Sequence, residues 1–241
     1  MTAYIWLILA VLAGGLSAFY LYKFQGLQRL LITFSGAYLF AIILFHLLPE
    51  IYAGHAHVHG HLHAHEAVKN YAPKTVGLFI ILGLMFQLCL DVFSHGIEHG
   101  HETDTHGHQA LTLGVVAGLF LHAFTEGLPV LQGTDRAYLY GILVHKFPIA
   151  LALTSFLIVS GMKWGRILLI LLAFSLMSPL GAWIGSHVAF LREHHVLVSA
   201  FVVGILTHIS TTILFESNKD HRFYLRKMLV IALAFALAYL A

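Results

Sequence analysis

The sequence predicts an all-α polytopic membrane protein with eight transmembrane helices, and three observations carry that reading. Of 241 residues, 59% are hydrophobic and 10% charged, against roughly 25% charged in globular chains. Apolar runs of spanning length follow one another with short connections between them. Spans of about 20 residues each use up nearly the whole chain, which leaves no room for a large appended soluble domain.

The runs fall at about 3–22, 29–50, 75–94, 111–131, 137–160, 165–187, 196–215 and 223–241. The first has no basic region ahead of it and is long enough to cross a bilayer, so it reads as a retained helix rather than a signal peptide. Pro73 precedes the third run harmlessly. Pro49, Pro129, Pro148 and Pro179 lie inside or at the ends of runs, where each frees a backbone carbonyl that packing, water or a ligand must satisfy. Counting basic residues by side sets the orientation. Lys23, Arg29, Lys163, Arg166, Lys219, Arg222, Arg226 and Lys227 share one side, and Lys69, Lys74, Arg136 and Arg192 the other. The excess places the first side in the cytosol and both termini outside. The chain then reads as a single transmembrane domain, 1–241, with an external histidine-rich loop at 54–74 and a cytosolic one at 95–110. Lys146 is left in the middle of the fifth span.

Composition also excludes. A formal charge of +2 with scattered basic residues argues against a nucleic-acid partner, which needs clustered Lys and Arg. The single Cys89 forbids an intrachain disulfide framework and reads as a small packed side chain. The unusual feature is nineteen histidines. His55, His57, His59, His61, His63 and His65 alternate with small residues in the external loop. His95, His99, His101, His106 and His108 stand with Glu98, Glu102 and Asp104 in the cytosolic one. Imidazoles and carboxylates suit zinc and similar ions, while the small spacers leave geometry loose and binding exchangeable. A solvated linker with incidental metal affinity is the competing reading.

Ionisable residues inside the bilayer are sharper signals, because each is costly there. The fourth span reads L-F-L-H-A-F-T-E-G-L-P, which sets His122 and Glu126 four residues apart on one helical face. The fifth reads I-L-V-H-K-F-P-I-A-L, with His145 and Lys146 before Pro148. A lone membrane histidine is usually a packed contact. Here three candidate ligands in consecutive spans, each near a proline, favour a shared metal site.

The H-A-F-T-E-G and H-K-F-P-I-A segments resemble the paired metal-binding signatures of the ZIP (Zrt-, Irt-like) transporters, H-N-x-P-E-G and H-E-x-P-H-E. Eight spans, outside termini, the histidine-rich loop before span four and H-L-L-P-E at His46 to Glu50 agree with that family across the whole chain. The resemblance implies a ZIP-like bundle that imports divalent metal. Spans one, four, five and six would move like an elevator against two, three, seven and eight, commonly in a homodimer. It carries over His122, Glu126 and His145 as primary metal ligands. It also exposes departures. Ala123 stands for the usual asparagine, Lys146 for an acid, Ile149 for a second ligand, and Ser178 for a glutamate of some bacterial members. A binuclear centre is therefore not expected. The Lys146 ammonium would occupy the second metal's volume as a tethered cation paired with Glu126, unless its long stem carries the head to the nearer interface.

Two imidazoles and one carboxylate suit zinc better than magnesium or calcium, with cadmium, iron, manganese and cobalt as other possible cargo. Three protein ligands leave a position open for exchange, as passage requires. No resident cofactor is expected, only the transported ion and the lipid bilayer as partners. His208 serves as an exit ligand or a helix-helix hydrogen bond. His46 and Glu50 are candidates for receiving metal outside, Asp91 with His95 for guiding it into the cytosolic loop, and Ser178 is a further candidate along the path. A membrane zinc hydrolase would also use two histidines and an acid, yet needs a further acid or base that spans four to six do not offer. A sensor that binds only through its loops would not need buried ionisable residues. The expectation is a non-enzymatic importer. The short connections and lack of an organellar signal place it in a plasma (inner) membrane.

Overall fold

The computed structural model describes residues 2–53, 71–94, 107–132, 136–215 and 221–241. The regular structure among them is helical. The long helices are α1 (Thr2–Leu21), α2 (Gln25–Ala53), α3 (Pro73–Ser94), α4 (Gly107–Gly127), α5 (Arg136–Val159), α6 (Trp164–His187), α7 (His195–Phe215) and α8 (His221–Tyr239), with a single turn of helix at Ala189–Glu193 between α6 and α7. Over their described residues six of them, α1, α2, α3, α5, α6 and α7, are long and apolar enough to cross a membrane. Large apolar side chains point outward, among them Leu78, Ile81 and Met85 of α3 and Leu169, Leu172 and Trp183 of α6. Buried among the helices are polar groups that water would normally hold: His122, Glu126, His145, Lys146 and Ser178. That is the arrangement a hydrocarbon solvent favours.

Helices α2 and α4 begin four residues before their expected starts, and both also end away from the expected bound, in each case at a proline. The second run was expected over 29–50, but α2 continues to Ala53 by way of a π turn at Ile43–Leu47, where the N–H of Leu48 reaches back to the Ile43 carbonyl. Pro49 offers no N–H to the turn behind it, and the wider turn absorbs that loss within the helix. The fourth run was expected to reach residue 131, but α4 stops at Gly127. Beyond it the chain tightens, with Leu128, Val130 and Gln132 donating to Thr125, Gly127 and Pro129, three residues back in each case. Pro129 cannot donate, so the α-helical ladder is not continued there.

Packing sorts the helices into two groups. Helix α1 lies most extensively on α5 and also on α6, and α4 lies on α6; separately, α3 packs on α7, and α2 on α8 and α7. Contacts of α2 with α5 and of α3 with α4 join the groups, whereas α4 and α5 hardly touch each other directly. Small residues allow the closest crossings. A Cβ on Gly14 of α1 would meet the backbone of Phe147 in α5, and one on Gly181 of α6 would meet the Phe124 carbonyl of α4. One apolar core (Val11, Leu153, Leu171, Phe174) lies within the first group, and a second (Leu39, Ile43, Tyr138, Ile142, Leu206) spans both.

Candidate metal centre

The site forms where the end of α4 faces the middle of α5. His122 and Glu126 lie one turn apart on α4, and α5 presents His145 and Lys146 across from them. All four side chains are buried, none more than 3% exposed. One ligand atom from each of His122, Glu126 and His145 lies within 4.8 Å of the others. Ligands of a tetrahedral zinc ion, bonded at about 2.0–2.1 Å, stand roughly 3.3 Å apart. The two rings are nearly perpendicular, with centroids 6.1 Å apart, so they already converge from different directions.

Hydrogen bonding divides the site in two. Lys146 Nζ donates to Glu126 Oε1, and the same ammonium lies 5.9 Å from the centroid of the Phe174 ring. Ser178 Oγ donates to the Ala123 carbonyl and stands 3.4 Å from Glu126 Oε1. One carboxylate oxygen is thus occupied by a cation and a hydroxyl. The other, Oε2, faces His122 Nε2 at 3.4 Å. Glu126 Oε2 and all four ring nitrogens of His122 and His145 have no hydrogen-bond partner among the described residues. Buried polar atoms are costly to leave unsatisfied, and three of them, one from each residue, come near enough to one another to suit a cation with borderline nitrogen and oxygen preference. The cluster holds a single carboxylate, and Lys146 already shares it.

Other parts of the chain hold the two walls in place. Thr125 Oγ1 donates to the His122 carbonyl at 2.8 Å, and Tyr138 Oη, from α5, to the Glu126 carbonyl at 2.7 Å. The sequence reading did not single out Tyr138 or Phe174, since an aromatic residue in an apolar span carries no signal by itself.

The expected path residues are not gathered at this centre. Asp91 Oδ2 of α3 lies 3.3 Å from His208 Nδ1 of α7 and its other oxygen accepts from Gln87 at 2.9 Å, so these two ionisable residues meet each other across the second helix group. His46 Nε2 is 3.4 Å from the Ala238 carbonyl of α8, and Glu50 is exposed near the end of α2. Ser178 alone among them joins the metal cluster. His95, the external histidines 55–65 and His99, His101 and His106 lie outside the described residues; for His108, in the first turn of α4, only the backbone is described.

A family model described as ZIP Zinc transporter matches residues 95–240. The chain is 30% identical over 140 residues to the zinc transporter ZIP9 of Xenopus tropicalis, a match covering 54% of this chain and 42% of the relative. It is 29% identical over 141 residues to the zinc transporter ZIP9-B of Xenopus laevis, covering 54% and 43%, and 29% over 129 residues to ZIP9 of Micropogonias undulatus, covering 49% and 40%. The chain spans about two fifths of the length of these relatives.

Proposed function

The chain belongs to the ZIP zinc transporter family, and from that premise we propose that it carries divalent metal ions, zinc foremost, across the membrane into the cytosol through a mononuclear site formed by His122, Glu126 and His145. The observation that carries this reading is that three buried residues of α4 and α5, whose ring nitrogens and Glu126 Oε2 have no hydrogen-bond partner among the described residues, each bring one ligand atom within 4.8 Å of the others. A transport site needs ligands enough to strip water from the ion and an open position through which to release it; three ligands without a thiolate meet both needs. Lys146 stands as a tethered cation where a second ion would otherwise sit. Its ammonium fills one face of Glu126, so one carboxylate oxygen and two imidazoles remain for a single ion.

All eight long helices span the bilayer in this reading, with both termini outside in a plasma (inner) membrane. Helices α1, α4, α5 and α6 would move as one body against α2, α3, α7 and α8, sliding at the broad contact of α2 with α5, with the site riding on the first. His46 and Glu50 would receive ions outside, and Asp91, His95 and His208 would pass them to the cytosolic histidine loop. The two histidine-rich loops raise the local metal concentration on either side, and a homodimer is the expected assembly. Cadmium, iron, manganese and cobalt are further cargo that this ligand set accepts.

Zinc entry into proteoliposomes with a trapped fluorescent reporter tests the proposal. His122→Ala is expected to lower entry at least a hundredfold, and deletion of residues 54–70 to slow it only. A wild-type protein that binds zinc at His122 yet admits none in either orientation would overturn it and point to a hydrolase or a sensor.

A further inference from the structure

The carbonyl of Glu126 is left without a donor by its own helix. In an α-helix it would accept from residue 130, or in a tighter turn from residue 129. Residue 129 is a proline with no N–H, and the N–H of Val130 goes to the Gly127 carbonyl. The group is buried at the end of α4, where such orphan carbonyls need an outside partner. Tyr138 supplies it. Its hydroxyl donates to the Glu126 carbonyl at 2.7 Å, and the side chain is 1% exposed.

Three further features give this bond a purpose beyond satisfying two buried groups. Tyr138 precedes His145 by seven residues on α5, two turns along the same face, so one helix face presents both the clamp and a metal ligand. The helices α4 and α5 hardly touch directly: α4 rests on α6, and α5 on α1 and α2. The polar links across this seam, from the Tyr138 hydroxyl and from Lys146, both end on Glu126. A phenylalanine would fill the surrounding core of Leu39, Ile43, Leu47 and Ile142 as well as the tyrosine does. The hydroxyl is what reaches the carbonyl.

We infer that Tyr138 is a positioning residue of the metal centre: by holding the end of α4 through the Glu126 carbonyl, it sets the distance between the Glu126 carboxylate and His145. The inference rests on the metal-site reading above, and it concerns binding rather than movement. Without the hydroxyl the last turn of α4 keeps only the Lys146 link to α5, Glu126 shifts along the seam, and an ion must then do more to pull the two walls together.

The experiment measures equilibrium binding of Zn²⁺ to the full-length protein in detergent, by competition with a chromophoric chelator. Only the binding that His122→Ala abolishes is counted, which removes the contribution of the loops. Tyr138→Phe is expected to weaken this component about tenfold, the worth of one buried hydrogen bond. The double variant Y138F/P129A offers the Glu126 carbonyl an N–H from its own turn without restoring the tie to α5, and is expected to keep most of the loss. Binding in Y138F within about twofold of wild type would overturn the inference. So would a double variant that regains the loss, since the loss would then come from an unsatisfied carbonyl and not from a missing tie between the helices. If Y138F does not fold, the binding of the double variant, whose Glu126 carbonyl is satisfied, is compared with wild type in its place; its failure to fold would make Tyr138 a residue of folding alone and also overturn the inference. A wild type whose zinc binding is unaffected by His122→Ala takes down the metal site and this inference with it. A wild type that binds zinc but does not transport it takes down the transport reading alone, and the Y138F comparison still decides the role of Tyr138.

Discussion

Replacing Lys146 by methionine keeps the length and bulk of the side chain and removes its charge. In the wild type the ammonium sits on Glu126 Oε1, both groups 1% exposed, and the remaining neighbour of that oxygen is Ser178 Oγ at 3.4 Å, too distant and too weakly polar to replace a cation. Removing one partner of a buried ion pair leaves the other charge uncompensated, at a cost of about 3–5 kcal/mol. Zinc-free Lys146→Met is therefore expected to melt well below the wild type in detergent, by about 10 °C. Zinc would then bind next to a carboxylate that no other cation shares. If binding recovers about 2 kcal/mol of the penalty, affinity at the His122-dependent site rises roughly thirtyfold, and saturating zinc closes about half of the gap in melting temperature. Thermal unfolding with and without zinc, together with the chelator competition, measures both halves. A zinc-free variant as stable as wild type, or zinc affinity unchanged or lower, would refute the reasoning, because Lys146 would then contribute neither charge balance nor occupancy at the centre.

Lys146→Asp replaces the tethered cation with an acceptor, and the His122-dependent zinc content is expected to rise from one ion per chain to two, read by metal analysis after desalting; unchanged content together with unchanged transport would count against a lysine holding a second ion's place. Gly181→Ala puts a Cβ against the Phe124 carbonyl, a backbone atom that cannot swing aside. A loss of about 1–3 kcal/mol of stability is expected from thermal unfolding, and an unaltered melting temperature would contradict the close crossing of α4 and α6.

Much of this was legible in the residues because a bilayer imposes a small set of rules. Hydrocarbon requires each span to satisfy its own backbone, so composition and run length alone announce an all-helical membrane protein. The i, i+4 spacing of His122 and Glu126 puts them on one face whatever else the chain does. The presence of His145 in the next span suggests a third ligand for the same reason that any buried ionisable group demands a partner. Bounds were less legible. Hydropathy averages over a window and does not register that Pro49 is absorbed by a π turn while Pro129 ends α4.

The direction in which Lys146 points was not decidable from its position, since a long stem reaches either an interface or a buried acid. The answer depends on how far α4 and α5 are rotated about their axes, and that follows from distant crossings, Gly14 against Phe147 and Gly181 against Phe124. The same holds for the meeting of Asp91 with His208, 117 positions apart in the chain, at 3.3 Å, and for Ser178 joining Glu126. Tyr138 is the clearest case. Its sequence neighbourhood is ordinary, and its role exists because Pro129, on another helix's trailing turn, withholds an N–H from the one carbonyl its hydroxyl reaches. Local chemistry, set by residue type and helical period, determined which atoms need partners; the packing of helices against one another, set by contacts remote in sequence, decided which partners they find.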